Sequence, residues 1–345
     1  MIDDSGFLSV ICFLGALGLS AILTPCVRLI ALRFEILDRP ITSIKTHRTP
    51  VPYLGGAAIT LALSLVLLGA RLLTNFPTGT LHTLRGILVG GLIILGLGLI
   101  DDIKHKGVRY QWKFVVQIIA AICLMRFDVR IHFIEPWWMA DILTVLWVVG
   151  VMNAVNIVDI MDGLASGIGV IAAAGFFFIS LPSEQIYVNF LAAALAGALL
   201  GFMPYNLSKR FKIFMGDAGS LVLGFLLAAL SLGTSYTRVS NLGVFAPILI
   251  LGLPIFDTVL VTILRLKKGM SPFLGSKDHF ALRLEKFGFR RPEILAIVYT
   301  TAILLMLIAY QLTLLPYRYI VLLYSLTTLT AIGVGLWLAR IDIDA

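Results

Sequence analysis

This chain of 345 residues predicts an all-α integral membrane protein of about eleven transmembrane helices, its amino terminus outside and its carboxyl terminus cytoplasmic. Three observations carry that reading. Hydrophobic residues make up 59% and charged residues only 13%, too little polar surface for a soluble domain. The apolar residues fall in runs of about 20, the length that crosses a bilayer. The basic residues gather in alternate connecting segments.

The candidate spans are 7–30, 54–72, 84–100, 112–125, 140–158, 164–181, 187–204, 219–234, 243–264, 293–314 and 317–339. Backbone in lipid must satisfy its own hydrogen bonds, so each run is expected to be helical. The fourth is the shortest. The run 7–30 is too long for a signal peptide and lacks a basic start, so none is expected. Cys12, Cys26 and Cys123 lie in apolar runs without metal spacing and are expected to be free thiols. Twenty of the 27 Lys and Arg residues fall on one set of alternate segments, which is therefore the cytoplasmic set. The net charge of +8 is mostly a charge of that face, suited to anionic headgroups and anionic soluble substrates. The chain is a single polytopic domain, with cytoplasmic loops 31–53, 101–111, 159–163, 205–218 and 265–292 forming its active face.

The polar motifs collect on this face. GLIDD (Gly98–Asp102) ends the third span, and IFMGDAGS (Ile213–Ser220) enters the eighth. MNAVNIVDIMDGLASG (Met152–Gly167) joins the fifth and sixth, with Asn153, Asn156, Asp159 and Asp162 at steps of three. Such steps make a slanting ridge on an α-helix and would align on a 3₁₀ turn. One of the two aspartates is expected to cap the sixth helix. Capping does not account for four polar side chains, and polar groups at membrane depth mark function. Asp101 and Asp102 sit at a helix carboxyl end that disfavours anions, and form a base or metal site if they face the ridge. Asp217 stands at a helix start between Gly216 and Gly219, where a carboxylate can hold a metal bound to phosphate. Phe214 either packs or stacks on a base. Lys45 and His47 precede a Pro- and Gly-rich turn, His279 lies in a basic loop, and Asp257 needs a partner inside the ninth span. Together these describe a carboxylate-rich, metal-capable and phosphate-friendly face. An ion-coupled transporter is the rival class, but polar residues do not continue to the outer side and no inverted repeat is evident.

Taken together, KTHRTPVPYLGG, GLIDD, NAVNIVDIMDGLA, FMGDAGS and PIFDT resemble the polyprenyl-phosphate N-acetylhexosamine-1-phosphate transferases, the family of the WecA, TagO and MraY types. The resemblance runs from Lys45 to the loop after the ninth span and is closest to the WecA type. It implies transfer of a sugar 1-phosphate from a UDP-sugar to undecaprenyl phosphate in the inner membrane, with Mg²⁺ (or Mn²⁺ in its place), release of UMP, and in some members a homodimer. No nucleic acid partner is expected. It implies catalytic roles for Asp101, Asp102, Asp159 and Asp162, and metal binding by Asp217 with Asp102. It assigns substrate binding to Lys45, His47, Lys113, Asn153, Asn156, Phe214 and His279, with Phe214 stacking on the base. Three departures stand out. Ile160 replaces a glycine, NLSKRFKIF lacks a Pro-Ala pair, and HFAL (His279–Leu282) stands where the WecA type has H-x-H-H. That loop is expected to read the sugar, so UDP-GlcNAc is the first expectation, with a deoxy-N-acetylhexosamine or the peptide-bearing muramoyl donor as alternatives.

Overall fold

A computed structural model describes residues 4–40, 49–73, 80–104, 107–182, 186–234, 236, 239, 241–271 and 276–343. Lys45 and His47 lie outside the described residues. The helices are α1 (Asp4–Arg33), α2 (Gly55–Leu73), α3 (Thr80–Ile103), α4 (Tyr110–Arg126), α5 (Trp137–Val158), α6 (Leu164–Ser180), α7 (Ile186–Asn206) and α8 (Gly216–Gly233). After a 3₁₀ turn (Asn241–Phe245) come α9 (Ala246–Ile250), α10 (Gly252–Lys267), α11 (Phe280–Phe287), α12 (Arg291–Leu312) and α13 (Tyr317–Ala339). Two short strands, β1 (Leu37–Asp38) and β2 (Val51–Pro52), pair antiparallel beside the site.

Every expected span contains a helix. Eight are long and apolar enough to cross a membrane: α1, α2, α3, α5, α7, α8, α12 and α13. The ninth candidate is broken at Leu251, where its two halves meet at 68°, and counts as one bent span. α4 and α6 have 17 residues each, so eleven is reached only by adding both.

α7 and α8 form the centre, each with most of its residues buried. Small residues make this possible, because in lipid close van der Waals packing rather than hydrophobicity draws helices together. A Cβ on Gly98 of α3 would run into the backbone of Ala218 in α8. The large apolar core lies here, between α1, α2, α3, α5, α7 and α8. A second, smaller core joins the start of α6 to α10, α11, α12 and the end of α13 through Met161, Leu164, Leu264, Phe280, Leu284, Val298 and Leu338.

Candidate active site

The carboxyl ends of α3 and α5 and the amino end of α8 converge at one end of the bundle. Asp102 reaches across from α3 to the start of α8. Its Oδ1 accepts the Asp217 N–H at 2.8 Å and its Oδ2 the Ala218 N–H at 3.1 Å. A helix start leaves such donors unpaired, so Asp102 caps α8 from another helix. Gly216, at φ +72°, is required there, since a Cβ would strike that carboxylate. Both oxygens of Asp102 thus face backbone donors, and the carboxylate anchors the start of α8.

Asp217, placed by this cap, uses both of its oxygens. Oδ2 pairs with Lys113 Nζ at 2.5 Å, and Oδ1 accepts Asn156 Nδ2 at 3.1 Å. Lys113 also pairs with Asp101 at 2.8 Å, so one ammonium bridges two carboxylates on α3 and α8. Val108 N–H steadies Asp101 at 2.5 Å. Asn156 donates to Ser220 Oγ at 2.8 Å as well.

The Asn/Asp ridge is split. Asn153 and Asn156 lie on α5, but the helix ends at Val158, and Asp159 and Asp162 occupy the loop. Asn153 turns away from the other three: its Nδ2 donates to Val149 O at 2.8 Å and to buried Gln117 of α4 at 2.7 Å. Neither aspartate caps α6. The cap residue is Gly163 at φ +80°, whose N–H goes to Asn206 Oδ1 at 2.7 Å and whose carbonyl takes the Tyr299 hydroxyl at 2.6 Å. Asp162 instead pairs with Lys212 at 2.6 Å. Lys212 also stands 5.1 Å over the Phe214 ring.

These groups line an open cavity of about 280 Å³, with Tyr53, Asn156, Asp159, Asp162, Lys212, Phe214, Asp217, Ser276, Leu282 and Arg291 on its walls. Asp159 has no hydrogen-bond or ion-pair partner among the described residues. Burial first, then Asp217 and Asp162, push its carboxyl up to about 7. The loop carrying Phe214 is fixed by backbone pairing: Phe214 N–H to Pro52 O at 2.9 Å, and Gly55 N–H to Phe214 O at 3.0 Å. This explains why the KTHRTPVPYLGG and FMGD motifs come together.

His279 is not on the cavity wall. It is buried, its Nδ1 lies 2.8 Å from Asp257 Oδ2, and Asp257 Oδ1 accepts the Phe280 N–H at 2.9 Å. His279 and Asp257 thus form a buried pair that seats α11 on α10. Lys212, Leu282, Arg291, Tyr53 and Ser220 also line the cavity, and none of them was singled out by role in the sequence, though Tyr53, Ser220, Leu282 and Lys212 lie within the quoted motifs. Lys212 and Arg291 were legible only as loop charge, and Leu282 only as a missing histidine. No group of three or more His, Cys, Asp or Glu ligands arranged for a metal occurs among the described residues.

The structure is a polytopic helical bundle with a carboxylate–lysine cluster at one end, and the comparisons place it among sugar-phosphate transferases. Residues 84–235 match glycosyl transferase family 4. The chain is 33% identical over 308 residues to the Bacillus subtilis protein named "Probable undecaprenyl-phosphate N-acetylglucosaminyl 1-phosphate transferase", covering 87% of this chain and 83% of that one. It is 31% identical over 305 residues to a Mycobacterium tuberculosis decaprenyl-phosphate N-acetylglucosaminephosphotransferase, covering 79% and 74%. Against a phospho-N-acetylmuramoyl-pentapeptide-transferase of Levilactobacillus brevis it is 34% identical over 205 residues, covering 54% and 62%. The chain belongs to glycosyl transferase family 4.

Proposed function

We propose that this protein transfers an N-acetylhexosamine 1-phosphate, GlcNAc 1-phosphate first, from a UDP-sugar to undecaprenyl phosphate and releases UMP. The observation that carries the reading is the juxtaposition of Asp159, unpartnered among the described residues, with Asp217 and the Lys113 bridge to Asp101, beside a cavity that also holds Lys212 and Arg291. Phosphoryl transfer asks for in-line positioning and charge neutralisation more than for a strong base. Polar groups gathered at one end of the bundle suit that chemistry better than an ion path through it.

The acceptor phosphate is already largely dianionic, its second pKa being about 6. Lys113 sits on α4, whose outer face carries exposed Trp112, Val115 and Ile119, so it is placed to meet a phosphate arriving from the lipid. Asp101 holds that ammonium in place. Lys212 and Arg291 neutralise the donor pyrophosphate, and Phe214 offers a ring face to the base once Lys212 moves off it. The donor set fits Mg²⁺, with Mn²⁺ as its substitute: Asp159 is a spare carboxylate facing the same cavity as Asp217, and Mg²⁺ takes one or two carboxylates together with phosphate oxygens. Bound there, Mg²⁺ would neutralise pyrophosphate charge.

The same reading puts the site on the cytoplasmic face of the inner membrane, with eleven crossings and a homodimer as the assembly. In inverted vesicles Lys277→Cys, on an exposed residue, should react with an impermeant thiol reagent after the native cysteines are replaced. Reaction in right-side-out vesicles would overturn this orientation. A second donor is favoured by one observation: Leu282 puts an apolar side chain where the resemblance expects a histidine, which suits a deoxy-N-acetylhexosamine. UMP release from purified protein across a panel of UDP-sugars decides between them. Release from none of the panel would end the transferase reading.

A further inference from the structure

α13 buries only Ile320 and Leu338, and most of its length faces outward. Yet its last carbonyls receive a fully buried arginine. Arg283 of α11 is 2% exposed. Its Nη1 donates to the carbonyl oxygens of Leu338, at 3.1 Å, and Ile341. Its Nε donates to the Asp278 carbonyl at 3.2 Å, and its Nη2 to the Asp278 carboxylate at 2.6 Å. A helix carboxyl end offers unpaired carbonyls and partial negative charge, and a forked guanidinium can serve several of them together. Asp278 is held in turn by Lys268 at the end of α10, at 2.9 Å, and by Ser276 at 2.7 Å. Trp337 of α13 packs edge-on to Phe287 of α11, with ring centres 5.2 Å apart.

The segment pinned in this way is one wall of the cavity. Ser276 precedes α11, Leu282 lies on it and Arg291 follows it. The Asp101–Lys113–Asp217 group is carried by α3, α4 and α8, outside the pinned segment. We propose that the carboxyl-terminal end of α13 is a latch that holds α11 against the cavity through Arg283, which makes Arg283 a positioning residue for the donor side of the site. The proposal rests on reading the cavity as the UDP-sugar site. The outermost helix thereby serves as a docking point for one cation rather than as a share of the core. A lysine cannot replace the arginine, because a compact ammonium cannot span a carboxylate together with the carbonyls of Leu338, at the end of α13, and of Ile341 just beyond it.

The test uses the full-length protein with its three cysteines replaced. Arg283→Lys should raise the donor KM about tenfold while the acceptor KM stays within about twofold, as expected when one wall of a site is misplaced. In the same background, Phe287→Cys with Trp337→Cys, joined by a short bifunctional thiol reagent, should restore the donor KM. An equal rise in both KM values, an unchanged donor KM, or no restoration on bridging would overturn the latch. A second arm needs no turnover. Leu282→Cys should react faster with a soluble maleimide when Arg283→Lys is also present, and an equal rate counts against the latch. If the unmodified protein releases no UMP from any UDP-sugar, the transferase reading fails, while the alkylation rates still report on the latch.

Discussion

α8 and α13 are similar in length and apolar character and are used in opposite ways. Within its most apolar stretch α8 is 83% buried and α13 only 6%. α8 carries Gly216, Ala218, Gly219 and Gly224, and other backbones come within touching distance of it: a Cβ on Gly224 would meet Met152 of α5 at 2.6 Å. α13 turns Leu322, Leu326, Leu329 and Leu336 outward, and among the described residues nothing lies within 4 Å of a Cβ built on Gly333. In lipid a leucine gains little by moving from tails to protein, so small residues and polar contacts decide where a helix sits. The end of the bundle that carries Asp101, Asp102 and Asp217 is built on close-packed helices, whereas α11 at the cavity wall is fastened by buried charge.

The largest effect is expected at the head of α8. Asp217→Asn removes the group that joins Lys113, Asn156 and the cavity, and turnover should fall by about 10²–10³-fold or more. The variant should elute and melt like the parent, since its backbone N–H groups still meet Asp102. Near-parental turnover at saturating Mg²⁺ would remove Asp217 from the site.

Gly98→Ala against Gly333→Ala tests the packing contrast directly. The first drives a methyl into the Ala218 backbone and should lower stability by about 1–3 kcal/mol, with loss of activity because Asp101 and Asp102 lie one turn further on. The second should be neutral or stabilising by up to about 1 kcal/mol, as alanine is the better helix former. Melting temperatures in detergent compare the pair, and equal losses would refute the contrast.

Smaller effects are expected with pH. Asp159 has a raised carboxyl pKa, about 7 when folded, against about 3.9 in an unfolded chain. The native state therefore holds the proton more tightly, and stability falls as pH rises from near 4 to about 7. Asp159→Asn should lack that decline, so in chelator its melting temperature should overtake that of the parent above pH 7. Parallel melting curves between pH 5 and 8 would argue against a raised pKa. Asp278 runs the other way. Burial alone would raise it, but Ser276, Lys268 and Arg283 hold it below the usual carboxylate value. Its stabilisation is present above pH 4 and lost as pH falls further. Asp278→Asn should thus be less acid-sensitive than the parent while being less stable at pH 7.

Much of the site could be read from residue order. GLIDD, the Asn/Asp run and FMGD sit at helix ends that the hydropathy pattern already located, and their side chains converge. The ridge misled where it was treated as one surface. The chain leaves the helix at Asp159, as the span boundaries predict, so Asn153 and Asn156 stand on α5 while Asp159 and Asp162 stand on the loop, and Asn153 faces Gln117. His279 carried a signal of chemistry but is buried against Asp257, and no local pattern separates a ligand histidine from a paired one. Lys212, two residues before Phe214, carries no distinguishing signal in the sequence, because a cation in a basic loop looks like any other.

By itself the sequence determined that the chain lies in a membrane as helices, and which ends of those helices carry the clustered polar groups. Both follow from local physics: bilayer thickness sets the length of apolar runs, and buried charge is too costly to be placed at random. Only the tertiary structure decided that Asp102 caps α8 while Lys113 bridges Asp101 to Asp217, and that α8 lies at the centre and α13 at the edge. Those outcomes depend on contacts between residues more than a hundred positions apart. Hydropathy is blind to them because lipid and protein interior are equally apolar, which leaves shape and hydrogen bonding to choose the partner.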